Sequence, residues 1–274
     1  MPKIAVIIPT IDKTKEYLRN CVESLRATVD WDIIVVSNGT KIKPDYRDIK
    51  GITIHLHNRD QGQCGAVNIG ARVARPDVDY LFVSNDDMYY APDWNKNLKF
   101  GFLVFSPNLI EPTNNAGSAP PFLKFDGGLT LEGFNRESVD RHIKNIVNTQ
   151  REENEDGFNL PFFIKKDVWD TIGGYDTKFD PWGSNSDTDL QTKIELAGIK
   201  PKRLRDVLVY HFGSKSGTFE PEQQTYWQKN WDYYTEKWGF NRDQLGSDTW
   251  YCKDMINYDL LKYKPSWMGK YDKS

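Results

Sequence analysis

Four short apolar runs, at residues 3–9 (KIAVIIP), 32–36 (DIIVV), 52–57 and 79–83 (DYLFV), constrain the fold more than any other feature of this chain. The first two carry β-branched residues at consecutive positions, the pattern of a strand covered on both faces. Between the runs lie helical patterns. Residues 13–29 place Leu18, Cys21, Val22, Leu25 and Val29 on one face, and residues 63–75 are Ala/Gly-rich and suited to close packing on a sheet. Such alternation predicts an α/β protein with a doubly wound, mostly parallel sheet. Ligands of these sheets lie in the crevice beyond the carboxyl ends of the strands. Three of the four predicted strand ends carry polar clusters there: Thr10 and Asp12, Ser37 and Asn38, and Asn85-Asp86-Asp87.

From about Phe100 the alternation blurs. Residues 112–121 (PTNNAGSAPP) read as a loop and residues 151–156 (REENED) as a solvated charge run. A short strand is expected at 159–164, then a helix at 166–172 stopped by Gly173-Gly174. A further helix at 187–197 turns Leu190, Ile194, Leu196 and Ala197 inward. A strand at 207–210 ends at His211, and a long aromatic helix follows at 220–238. Trp227, Trp231 and Trp238 share helical spacing, which favours packing on the core. Trp250 and Trp267 lie beyond that helix and are the better candidates for a lid or an acceptor contact. The 274 residues show no repeat and no linker, so one domain with a C-terminal extension is the simplest organisation.

Composition excludes several function classes. Lys+Arg 36 against Asp+Glu 39 gives a net charge of −3, so no positive field draws nucleic acid, and none is expected as a partner. Three scattered cysteines make neither a disulfide framework nor a Cys-based zinc site. No window approaches the ~20 apolar residues of a transmembrane helix. The apolar run at the N-terminus is too short for a signal segment, so a cytoplasmic location is expected. The Lys- and Trp-containing end reads as a solvated tail rather than an interfacial anchor.

Two acidic clusters can carry chemistry. Adjacent carboxylates at Asp86 and Asp87 repel each other, a cost that a divalent cation offsets, and hard oxygen ligands suit Mg²⁺ or Mn²⁺. The alternative is an Asx-type turn ending the strand. In the segment Trp182–Leu190, Asp187 and Asp189 would diverge by roughly 200° on a helix and so serve different ends. Ser186 with Asp189 has the form of a capping box. Asp187 is then free to face the crevice as a general base, where geometry matters more than resting pKa; the alternative is that both aspartates only favour the helix N-terminus electrostatically. His211 can complete a metal shell with Asp87, and Lys215 can neutralise a departing diphosphate; the alternative for His211 is an ordinary hydrogen-bonded surface or core histidine.

Taken in order, these pieces resemble the family-2 glycosyltransferases of the GT-A fold. The resemblance rests on Ile7-Ile8-Pro9-Thr10, on residues 33–40 (IIVVSNGT), and on residues 58–74 (NRDQGQCGAVNIGARVA). It continues in residues 82–88 (FVSNDDM), in residues 172–198 around Asp187, and in Lys237-Trp238-Gly239. It implies a Rossmann-like GT-A domain over residues 1–240, with a nucleotide-sugar-binding half to about 110 and an acceptor and catalytic half over about 111–218. An aromatic-rich helical extension at 219–274 completes the chain. By the same resemblance, Asp87 and His211 bind Mn²⁺ or Mg²⁺. Pro9, Thr10, Asp12, Asn38, Gly62, Asn85 and Asp86 contact the nucleotide-sugar, and Asp187 is the base of an inverting reaction. Trp182, Gly183 and Lys215 are expected near the sugar or the acceptor. Three positions depart from the family pattern: Asn85 replaces an Asp, Ser186 replaces a Glu, and the Ser37-Asn38 turn lacks an acidic residue.

The expected activity is metal-dependent transfer, with inversion, of a sugar from a nucleotide-diphosphate sugar to a hydroxyl of a glycan or glycoconjugate. The rivals are a sugar-phosphate nucleotidyltransferase and a catalytically weakened carbohydrate-binding GT-A domain. Glycosylation of modified DNA is disfavoured by the acidic balance.

Overall fold

A computed structural model describes residues 1–11, 14–38, 46, 48–56, 62–112, 123–149, 155–157, 160–213, 215, 221–239 and 261–272. Asp12, Trp250, the Gly39-Thr40 turn and nearly all of the 112–121 loop lie outside the described residues. The strands are β1 (Ile4–Thr10), β2 (Asp32–Ser37), β3 (Thr53–Leu56), β4 (Tyr80–Val83), β5 (Met88–Tyr89), β6 (Val104–Ile110), β7 (Glu155–Asp156), β8 (Phe162–Lys165) and β9 (Lys202–His211). The helices are α1 (Lys15–Arg26), α2 (Gly62–Val73), α3 (Arg136–Thr149), α4 (Lys166–Ile172), α5 (Ser186–Leu196) and α6 (Pro221–Trp238). One sheet runs in the order β3-β2-β1-β4-β8-β6-β9-β5, with β7 beside β9. Strands β1 to β4 are parallel, β8 enters antiparallel, and β6 pairs with β9 in parallel. The predicted mostly parallel, doubly wound sheet is therefore present.

The continuous apolar runs have the expected cause. In β1, Ala5 and Ile7 face one core with α2, α4, α5 and α6, while Ile4, Val6 and Ile8 face a second core with α1. A strand buried on both faces cannot alternate apolar with polar. The described elements β1 to β4, α1 and α2 thus follow the apolar runs closely, and α4 stops at Gly173, which takes the left-handed conformation of a helix C-cap.

The blurred region contains two elements that the sequence reading missed. Strand β6 lies inside the sheet between β8 and β9, although Pro107 interrupts its sequence; the register slips between Pro107 and Asn108. Proline cannot donate to a ladder and is tolerated at a bulge. Helix α3 buries Val139, Ile143, Ile146 and Val147, a legible helical spacing, and its start is marked by Asn135, whose Oδ1 accepts from Ser138 N at 3.0 Å. The charge run is also corrected in part: Glu155 and Asp156 form β7 against β9.

The aromatic end is a cap on the core for most of its described length. Trp231 and Trp238 are buried in α6, and Trp267 packs against the same core, not out over the site as a lid. Gly269 N donates to Leu196 O at 2.7 Å and Tyr271 N to Ala197 O at 2.8 Å, so residues 261–272 strap the end of α5. Trp227 departs from the expectation: it remains 45% exposed. Among the described residues no helix is long and apolar enough to cross a membrane.

Candidate active site

The first cluster forms where β1 and β4 end together. Thr10 closes β1, and Thr14 opens the turn into α1; the Thr10 hydroxyl donates to Asp86 Oδ2 at 2.6 Å and the Thr14 hydroxyl donates to the same oxygen. Burial, reinforced by the neighbouring Asp87 charge, pushes the Asp86 carboxyl well above the usual carboxylate range. Asn85 is half-buried beside it, with its carbonyl accepting from Ser84 Oγ at 2.9 Å. Pro9 lies one residue back, paired with Val36 across β1 and β2.

Asp87 behaves oppositely because of a strand pairing. β5 runs antiparallel to β9 with Met88 opposite His211, which brings two positions far apart in sequence side by side. His211 Nε2 lies 3.2 Å from Asp87 Oδ1, and Lys215 N donates to Asp87 Oδ2 at 3.3 Å. Burial would raise the Asp87 carboxyl, but the His211 charge and hydrogen bond outweigh it and hold it down. His211 itself is raised to about 10: burial works against the imidazolium, but Asp87 and Glu111 on either side overcome that cost. Its Nδ1 lies 2.7 Å from Glu111 Oε1, just past the end of β6. Glu111 escaped the sequence reading because β6 itself did. The Lys215 ammonium makes no hydrogen bond or ion pair among the described residues.

The second cluster surrounds the N-terminus of α2. Asn38 Nδ2 donates to Gly62 O at 3.1 Å, and Asn38 N to Thr10 O at 2.9 Å, linking this cluster to the first. Asp180 accepts from Cys64 N at 3.0 Å and from Gly65 N at 2.9 Å, so a carboxylate sits on the free amides of the helix start. Only a glycine fits at Gly62, whose φ is +69° and whose absent Cβ would lie 2.0 Å from Asp180 Oδ1. The loop onward holds Trp182, half-buried with its Nε1 finding no acceptor among the described residues, and Gly183, which packs against Gln63.

Asp187 stands in the first turn of α5 and accepts from the Tyr175 hydroxyl at 2.6 Å on Oδ1. Burial pushes its carboxyl up, only partly countered by that hydrogen bond. The capping box is not formed. Asn185, with φ 65°, occupies the N-cap position without a side-chain cap bond, and Ser186 is already helical. Asp189 instead turns inward to Trp238 Nε1 and Lys237 Nζ, both at 2.7 Å. The two carboxylates do diverge, as their spacing requires.

The structure thus joins Thr10, Asn38, Gly62, Asp86, Asp87, His211 and the Lys215 backbone through contiguous contacts. Asp187 is tied to α2 through Tyr175 and Asn68, and Gly183 packs against Gln63 at the start of the same helix. Among the described residues no group of three or more His, Cys, Asp or Glu is placed to hold a metal ion by itself. The donor set nevertheless fits one in kind. Asp87 offers a carboxylate and His211 an imidazole whose other nitrogen is held by Glu111, the usual support of a metal-ligating histidine. Two protein ligands leave coordination positions open to oxygens of a bound molecule.

Residues 5–99 match the family model for glycosyl transferase family 2, a stretch that ends beyond Asp87 but short of Asp187 and His211. Among solved structures, GalNAc-T7 crystallised with UDP, GalNAc and Mn²⁺ matches with a TM-score of 0.61 at 17% identity. The match covers 87% of this chain and 49% of that one, so the chain spans about half that protein's length. No curated protein matches the chain significantly. The chain therefore resembles the family-2 glycosyltransferases and has the GT-A fold, as its motifs imply.

Proposed function

We propose that the chain is a glycosyltransferase that moves a sugar from a nucleotide-diphosphate sugar to a hydroxyl acceptor, a glycan or glycoconjugate, with inversion. The observation that carries this reading is the Asp87–His211–Glu111 arrangement at the carboxyl ends of the strands, inside and beside the family-2 segment. Thr10, Asn38 and Gly62 line the crevice that would take the nucleoside, and Pro9 and Asn85 border it. Asp86, held by two threonine hydroxyls, keeps the turn that aims Asp87.

Asp87 and His211 would hold Mn²⁺ or Mg²⁺, whose charge offsets that developing on the leaving diphosphate. Lys215, with its ammonium unpartnered among the described residues, adds charge on the same side. Asp187 Oδ2, the oxygen not engaged by Tyr175, takes the acceptor proton. The acceptor oxygen bonds to the anomeric carbon as the carbon–diphosphate bond breaks, and the nucleoside diphosphate leaves with the electron pair. Trp182 and Gly183, one short loop before Asp187, are placed to border the sugar or the acceptor.

The neighbour's UDP and GalNAc put UDP-GalNAc into a donor panel with GDP-, dTDP- and CMP-sugars. A donor at 100 times its Kd stabilises the fold by about 2.7 kcal/mol, which a thermal-shift assay reads directly. Transfer or donor hydrolysis should then require Mn²⁺ and vanish in Asp87→Ala and Asp187→Ala, with NMR of the product reporting the inverted anomer. Donor binding with no turnover in the unsubstituted chain would favour the weakened carbohydrate-binding reading, for which Asn85 and Ser186 speak.

A further inference from the structure

The base proposed above is held by a device that spans both halves of the chain. Asn68, in the second turn of α2, grips one peptide segment at two points. Its Nδ2 donates to Tyr175 O at 2.8 Å, and its Oδ1 accepts from Tyr175 N at 3.0 Å. Gly174 permits the approach, since a Cβ there would lie 2.6 Å from Asn68 Oδ1. Tyr175, 3% exposed and packed edge-on against Trp169, then reaches 12 residues ahead to donate its hydroxyl to Asp187 Oδ1 at 2.6 Å.

We propose that Tyr175 is the positioning residue for Asp187 and that Asn68, by clamping the Tyr175 backbone, lets helix α2 of the donor half set where the base stands. The inference rests on the reading of Asp187 as the base. The physical reasoning is that a carboxylate in the first turn of a helix can rotate about χ1 and χ2. A hydroxyl on one oxygen removes that freedom and leaves the other oxygen for the acceptor. Because α2 also carries Gly62, which receives Asn38, the same helix that meets the donor crevice fixes the base through two rigid contacts. The step served is one proton transfer, from the acceptor hydroxyl to Asp187 Oδ2. Tyr175 keeps its own proton, since burial and the Asp187 charge push its hydroxyl well above its ordinary value.

The titratable groups facing Asp187 among the described residues are Tyr175 and the Cys64 thiol on α2, itself pushed up by burial and by Asp180 and Asp187. Tyr175 is the partner that holds the Asp187 carboxyl down against burial. Its removal therefore moves the acidic limb of the pH–rate profile to higher pH.

The test compares the unsubstituted chain with Tyr175→Phe, Asn68→Ala and Asp187→Asn, using donor and acceptor at saturating Mn²⁺. Tyr175→Phe keeps the packed ring. It should lower kcat by roughly ten- to a hundredfold, leave the donor KM within about twofold, and shift the acidic limb upward. Asn68→Ala should lower kcat in the same direction without changing the Asp187 pH limb as strongly, because the hydroxyl remains. An unshifted limb and unchanged kcat in a folded Tyr175→Phe chain would overturn the inference. Undiminished turnover in Asp187→Asn would instead overturn the reading of Asp187 as the base, so the two failures are distinguishable.

Discussion

Trp238 donates its indole Nε1 to the buried Asp189 carboxylate at 2.7 Å, which ties the last turn of α6 to the first turn of α5. The same oxygen receives Lys237 Nζ at 2.7 Å, and Lys193 stands 3.6 Å from the other. Asp189 has no exposure, so its Oδ1 is met by these donors and not by water, while Oδ2 makes no hydrogen bond among the described residues. Trp238→Phe should cost about 1–3 kcal/mol, the loss of one donor to a buried acceptor. Asp189→Ala removes the carboxylate beside the buried Lys193, while Lys237 keeps Asp176 at 2.8 Å, and should cost about 3–5 kcal/mol. Urea denaturation of the three chains measures both; equal stabilities would show that the network contributes nothing.

Glu111 predicts a binding phenotype without touching substrate. By accepting from Nδ1, it leaves Nε2 of His211 as the nitrogen that faces Asp87. Glu111→Ala should weaken Mn²⁺ binding by about 10–100-fold, and Glu111→Gln, which retains an acceptor, by less. Calorimetric titration of Mn²⁺ into the three proteins separates them. The same affinity in all three would remove Glu111 from the site.

The pH dependence of metal binding follows from the raised His211. Its imidazolium persists to about 10 in the metal-free chain, so a cation at Nε2 must displace a proton. Affinity should therefore rise as pH rises, by about tenfold per unit between roughly pH 6 and 8, for one proton released. If Asp87 alone, already ionised, held the metal, the affinity would instead be flat across this range. Stability of the metal-free chain runs the other way. A histidine with a raised folded pKa contributes fully below its ordinary 6.5, and that contribution is lost as pH climbs through about 10.

Gly62 offers a purely steric test. An alanine there meets Asp180 at 2.0 Å and must also hold φ near +69°, a region that costs a residue with a Cβ roughly 1–2 kcal/mol. Gly62→Ala should lower Tm by several degrees and release Asp180 from the Cys64 and Gly65 amides, weakening donor binding as well. An unchanged Tm would mean that the Asp180 contact is dispensable.

The α/β alternation, the helix stop at Gly173 and the Asp86-Asp87 cluster were all legible because each depends on local chemistry: β-branched runs, a left-handed glycine, paired carboxylates after a strand. β6 was not legible, since Pro107 breaks the local pattern and only pairing with β8 and β9 supplies a place for a bulged strand. α3 carries a local signal in Asn135 and the spacing of Val139, Ile143, Ile146 and Val147, but the charges interspersed among them obscure its apolar face. Ser186 and Asp189 had the form of a cap, yet a buried lysine and an indole competed for Asp189 and won.

By itself the amino-acid sequence determined the sheet's parallel half, its crevice, and the residue types at the strand ends, because hydrophobic periodicity and turn chemistry act over a few neighbouring residues. Only the tertiary structure decided which of those residues meet. Asp87 faces His211 through the β5–β9 pairing, Glu111 reaches His211 from the end of β6, and Asn68 holds Tyr175 against Asp187 across 107 and 12 positions of chain. Contacts at such separations depend on strand order and helix packing, which no local pattern encodes.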